Sequence, residues 1–142
     1  KKLDVEFYSS KKNIECKFLI IDSFGKMDEF YNKSDIVFLG GSITNNGGHN
    51  PIEAAAANCA IITGPHVFNW QNLYDDMIKN KSCLMIKYPK ELESKIINLI
   101  EDNNLMTSLK KNSLFFSKTK FFEEDKLLKL IDSKLENNAQ SS

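Results

Sequence analysis

Asp35 to Asn58 reads DIVFLGGSITNNGGHNPIEAAAAN, and the order of residue types within it decides the fold class. Asp35 to Gly40 is a short apolar run rich in β-branched and aromatic residues, the pattern of a strand buried on both faces, as in a parallel sheet. Pro51 to Asn58 is rich in alanine, which favours helix and lets a backbone approach a sheet closely. From Gly40 to Asn50 the chain forms a loop holding four of its six glycines. A strand, a glycine-rich turn at its tip and a helix that returns over the sheet form one half of a parallel α/β unit.

Outward from that stretch the alternation continues. Lys17 to Asp22 (KFLIID) is a second apolar run, and Met27, Phe30, Tyr31 and Ser34 fall at helical spacing between the two runs, so a short crossover helix is expected to cover the sheet. Downstream, a strand is expected at Ala60 to Thr63. Trp70, Leu73, Tyr74, Met77 and Ile78 then give an amphipathic core stripe, followed by a strand at Cys83 to Ile86 and a helix carrying Leu92, Ile96, Leu99 and Ile100. Leu105 to Lys120 and Phe121 to Leu135 read as two helical segments meeting near Lys118 to Lys120, and Asn137 to Ser142 is polar and expected to fray. Phe115, Phe116, Phe121 and Phe122 are read as packing of those tail helices rather than as a membrane contact. The expectation is one α/β domain: a parallel sheet with helices on both faces and a helical tail.

Composition narrows the function classes. A chain of 142 residues, 42% hydrophobic, is long enough for one substantial core. Nineteen Lys plus Arg balance nineteen Asp plus Glu, so no overall field holds a nucleic acid or an anionic bilayer. Cys16, Cys59 and Cys83 are odd in number, widely spaced and set among apolar neighbours, which fits reduced, buried thiols and neither a disulfide framework nor a metal site. No stretch approaches the ~20 apolar residues that cross a bilayer, and no signal pattern opens the chain. The first residue is Lys1 and the opening is strand-like without a preceding cap or turn, so a fragment of a longer protein is expected.

The loop between strand and helix is where chemistry is expected, because open parallel sheets bind ligands at their strand tips. Gly40 and Gly41 turn the chain off the strand, and Gly47 and Gly48 supply positive φ or close approach to a ligand. Gly41, Ser42, Gly47, Gly48 and His49 form the candidate loop of the site. Asn50, Pro51 and Glu53 fit a helix start with Asn as cap, Pro in the first turn and an acid able to bond the cap's own N–H. Two readings stand side by side: a helix N-terminus facing the loop as an anion site, or a capping box with glycines that only shape a turn. His49 either donates to a phosphate or carboxylate or makes a structural hydrogen bond. His66 borders the same cleft, and Asn69 is read as the cap of the helix that begins at Trp70.

DSFGKMDEFYNKSD (Asp22 to Asp35), then IVFLGGSITNNGGHNPIEAAA and ITGPHVFNW, resembles the donor-domain core of bacterial 3-deoxy-D-manno-octulosonic acid (Kdo) transferases in order, spacing and identity, over Phe18 to Tyr74. The resemblance implies a GT-B glycosyltransferase, two Rossmann-like halves facing across a cleft. Residues 1–142 would be its C-terminal half, which binds CMP-Kdo, while the N-terminal half binds the lipid A precursor. It implies nucleotide contacts from Phe24, Gly25 and Lys26 and from Asn50, Pro51, Ile52 and Glu53. Main-chain groups of the first set would read cytosine, and the Glu53 carboxylate would accept from ribose hydroxyls. Many family members carry an acid where this chain has Lys26, which is read as a solvated charge. The implied reaction is an inverting transfer without metal or cofactor. Its base, a glutamate, and a phosphate-binding Pro-Arg pair lie in parts of the family outside this chain, so no catalytic residue is assigned here. The implied location is the cytoplasmic face of the bacterial inner membrane, with membrane association through the N-terminal region and this half soluble. The alternatives are a non-catalytic α/β binding module and a GT-B enzyme that uses a UDP-sugar.

Overall fold

The computed structural model describes residues 4–10 and 16–139. Its centre is a three-stranded parallel sheet in the order β3 (Ile36–Leu39), β4 (Ala60–Thr63), β5 (Leu84–Met85), with Ile36 opposite Ala60 and Ile62 opposite Leu84. All four residues of β4 are buried, as a central strand flanked on both edges requires. A separate two-stranded parallel ladder joins β1 (Val5–Phe7) to β2 (Phe18–Ile20).

That ladder departs from the sequence reading. KFLIID was expected to be buried on both faces beside Asp35 to Gly40, yet Phe18 is 51% and Ile20 45% exposed, and β2 pairs with β1 instead of β3. An apolar run of this length looks the same at an open edge as at a sheet centre, because periodicity reports neither which strand it pairs with nor what covers its faces.

Two apolar clusters lie on opposite faces of the central sheet, as the alternation of side chains along β4 dictates. Ile61 belongs to a cluster with Leu39, Ala54, Tyr74 and Met77, so α2 (Ile52–Ala56) and α3 (Gln71–Lys79) cover that face. Ala60 and Ile62 point the other way, to Ile86, Leu99 and Leu109, which brings α4 (Glu91–Glu101) and the first turns of α5 (Asn103–Ala139) against the second face, while Phe116 further along α5 joins the first cluster. α1 (Met27–Tyr31) leans on the first cluster through Tyr31. Leu73, Tyr74 and Met77 form the expected core stripe of α3, while Trp70 and Ile78 at its ends are more than a third exposed. The three cysteines are free, with Cys59 and Cys83 buried and Cys16 half-buried.

The tail is one helix of 37 residues, not two. Asp102 starts it, its side chain accepting from the Leu105 N–H at 2.9 Å. Residues 117–126 contain no Gly or Pro to stop it and several strong helix formers to carry it on. The packing expected of the four phenylalanines holds for one: Phe116 is buried, whereas Phe115, Phe121 and Phe122 are exposed. The helix runs to Ala139; the last three residues of the segment expected to fray, and Lys1 at the other end, lie outside the described residues. Among the described residues no helix is long and apolar enough to cross a membrane.

Candidate functional site

The glycine loop leaves the tip of β3 and is tied at its neck and its back. The Gly48 N–H donates to the Gly41 carbonyl at 3.1 Å, closing the loop on itself. Gly47 and Gly48 hold φ of +85° and +73°, the left-handed region their spacing called for. Ser42 is fully buried; its hydroxyl donates to the Leu39 carbonyl at 2.6 Å and accepts from the Gly64 N–H at 2.8 Å. The segment GPHVFN forms the back wall, with the His66 N–H on the Ser42 carbonyl at 2.9 Å and the Asn69 N–H on the Gly47 carbonyl at 3.2 Å.

Asn69 is therefore not the cap it was expected to be. Its side-chain amide donates to the Asn46 carbonyl at 3.2 Å, Phe68–Trp70 forms a 3-10 turn, and α3 starts without a side-chain cap bond. An Asn one residue before an amphipathic run has the sequence signature of a cap, and a loop 23 residues upstream competes for the same amide.

At the start of α2 the capping box is half formed. Asn50 Oδ1 accepts from the Ile52 N–H at 3.0 Å, and Pro51 has helical dihedrals, φ −84° and ψ −11°. Glu53 does not complete the box: its carboxylate is exposed and has no hydrogen-bond partner among the described residues. The helix itself is five residues long. It sums few peptide dipoles, and with the Ile52 N–H already engaged its pull on an anion is weaker than the sequence implied.

Beside this loop a cleft of about 510 Å³ runs along the edge strand β3 to its tip, lined by Met27, Tyr31, Val37, Phe38, Leu39, Gly40, His49, Asn50 and Glu53. Its size falls in the range of small-molecule sites, ~300–1,000 Å³. Two hollows of similar volume, about 480 Å³ between α3 and α5 and about 540 Å³ along the outer part of α5, lie away from the strand tips and contain none of the glycine loop. Position at the end of a parallel strand favours the first.

The sequence-derived residues separate into four groups. His49, Asn50 and Glu53 line the cleft. Gly41, Ser42, Gly47, Gly48 and Pro51 build the loop beneath it; the His49 ring lies over Gly41, its Nε2 3.4 Å from where a Cβ would stand. Ile52 packs against the first core cluster. Phe24, Gly25 and Lys26 form an exposed turn, with Gly25 at φ +70°, that leads directly into Met27 at the cleft wall; the three do not line the cleft themselves. His49 is read in two ways by sequence, and its carbonyl accepts the structural bond, from Tyr74 at 2.8 Å, leaving the imidazole exposed.

Met27 and Tyr31 were not anticipated as wall residues. Their spacing of one helical turn signalled a buried face, and Tyr31 does pack on the core, yet the same face also borders the cleft. Burial raises the pKa of the Tyr31 hydroxyl and the neighbouring Glu53 carboxylate raises it further, so the phenol stays protonated beside that carboxylate. Among the described residues no group of three His, Cys, Asp or Glu side chains is placed to hold a metal ion.

Comparison with known proteins places the chain among glycosyltransferases. The profile of the family described as Glycosyl transferases group 1 matches residues 1–114. A 3-deoxy-D-manno-octulosonic acid transferase of Rickettsia conorii is 33% identical over 114 residues, 79% of this chain and 24% of that protein. A protein of the same name from Bordetella pertussis is 42% identical over 66 residues, 46% of this chain and 15% of that one. The chain thus spans about a quarter or less of the length of the curated relatives it matches. Among solved structures, the C-terminal CMP-Kdo binding domain of WaaA from Acinetobacter baumannii superposes with a TM-score of 0.76 over 80% of this chain and 61% of that one, at 23% identity, which supports the GT-B half-domain fold.

Proposed function

Because the chain belongs to the Glycosyl transferases group 1 family, we propose that it is the donor-binding half of a Kdo transferase, holding CMP-Kdo in the cleft at the tip of β3. The observation that carries this reading is the convergence of His49, Asn50 and Glu53, all from GGHNPIE, with the start of α1 on one cavity. Fold alone fits many chemistries. This loop, beside relatives that share the transferase name over most of the chain, favours one of them.

Each group has a task in that reading. The unpartnered Glu53 carboxylate accepts hydrogen bonds from the ribose hydroxyls. Asn50 uses its oxygen on the helix start and keeps its amide N–H groups for sugar or phosphate. The exposed His49 imidazole donates to the phosphate or the Kdo carboxylate. Main-chain groups of Phe24, Gly25 and Lys26, in the turn that precedes Met27, read the cytosine edge, so a change of side chain at Lys26 is tolerated.

The transfer is inverting: an acceptor hydroxyl of the lipid A precursor attacks the anomeric carbon, a carboxylate outside this chain takes its proton, and CMP departs without help from a metal. The acceptor and the attachment to the cytoplasmic face of the inner membrane belong to the remainder of the enzyme. The chain alone binds CMP and turns nothing over. Titration calorimetry tests this: CMP is expected to bind roughly tenfold or more tightly than UMP, a difference of ~1.4 kcal/mol. Equal affinity for both nucleotides, or tighter UMP, favours a UDP-sugar enzyme, and no heat with either favours a binding module of other purpose.

A further inference from the structure

Tyr74 is fully buried, its ring set in the apolar cluster beneath α2 with Ile61, Met77 and Cys83. A tyrosine is accommodated in such a place when its hydroxyl finds a partner. Here the partner is outside the core: the hydroxyl donates at 2.8 Å to the carbonyl of His49, 25 residues back along the chain. The neck of the loop is fixed by the bonds at Gly41, Gly47 and Gly48, and α2 is fixed from Ile52 onward. Across His49 and Asn50, the Tyr74 hydroxyl is the one tie to a distant element among the described hydrogen bonds.

We infer that Tyr74 is a positioning residue of the donor cleft, whose hydroxyl fixes the His49 carbonyl and so aims His49, Asn50 and Glu53 into one cavity. The inference rests on the functional reading above and deepens it. A carbonyl held from below sets the plane of the peptide that follows it, and that peptide carries Asn50. Since burial raises the phenol's pKa, the group remains a neutral donor at any physiological pH. Rigid placement of this kind determines affinity, because a ligand that must first order its loop binds more weakly.

Tyr74→Phe keeps the ring and the packing and removes the hydroxyl alone. The control is Ser82→Ala, which deletes another buried hydroxyl-to-carbonyl bond, the one from Ser82 to Met77 at 2.9 Å, at the other end of α3. CMP affinity by calorimetry, thermal melting and amide hydrogen exchange are read on both variants. Tyr74→Phe is expected to weaken CMP binding roughly tenfold and to speed exchange in residues 47–53 only. Ser82→Ala is expected to lower the melting temperature comparably and to leave CMP affinity within about twofold. Unchanged CMP affinity in Tyr74→Phe, or equal losses in both variants, overturns the inference. A wild-type chain that binds no CMP overturns the functional reading instead; exchange then decides the loop claim, and acceleration spread over the whole chain rejects it.

Discussion

Glu53 is the side chain on which the site's chemistry and the fold's stability separate most cleanly. Its carboxylate is exposed and unpartnered, so Glu53→Gln is expected to leave unfolding free energy within ~0.5 kcal/mol while weakening CMP binding roughly tenfold through the lost charge-assisted bonds to ribose. Denaturant titration and calorimetry on the same sample check both halves. At Cys83 the emphasis is reversed. Burial pushes its thiol up to about 12 from an ordinary 9.0. A group whose folded value is raised stabilises below its unfolded value and loses that contribution as pH rises. Stability is thus expected to fall between pH 9 and about 12, and Cys83 is expected to escape alkylation near neutral pH while half-buried Cys16 reacts. Mass spectrometry after a short iodoacetamide pulse distinguishes the two. What sequence conveyed at this scale was conformational need: Gly47 and Gly48 do sit at positive φ. It did not convey partners. Gly64 must lack a side chain because a Cβ there would stand 2.3 Å from the Ser42 carbonyl oxygen, a neighbour 22 residues away that no local pattern announces.

Elements were legible where composition and burial say the same thing. AIIT became a fully buried strand over the residues expected, because a central parallel strand admits little else. α5 shows where that agreement ends. Its inner part packs on β4 and α2 and is pinned by the Lys110–Asp35 ion pair at 2.7 Å, whereas residues 121–131 are all exposed, so one helix contains a core segment and a projecting one. Runs of Phe, Leu and Lys look alike in both. Phe116, 6% exposed, and Phe122, 69% exposed, measure the difference. Phe116→Ala is expected to cost ~3–5 kcal/mol and Phe122→Ala less than ~0.5 kcal/mol, read by chemical denaturation. The ladder of β1 and β2 failed to follow expectation for the related reason that its faces are open.

At the scale of the molecule, the segment that resembles the Kdo transferases, Phe18 to Tyr74, contains every residue that lines the cleft, together with the tyrosine that holds its loop. The fold class and the segment that lines the candidate cleft were readable for that reason. The cleft's far wall was not, since spacing assigns Met27 and Tyr31 to the core, whereas Tyr31 faces both core and cleft and Met27, half exposed, borders the cleft alone. With 19 cationic and 19 anionic side chains in balance, ligand recognition must be local, which makes a map of local change the decisive observation. That map is an amide chemical-shift titration of the chain with CMP. Shifts are expected to concentrate at residues 25–27, at Gly40 and at residues 49–53, with the far face of α3 and α5 around Asp76 and Lys120 silent; shifts centred on that far face, with Gly40 and Glu53 unmoved, would contradict a donor nucleotide seated at the tip of β3.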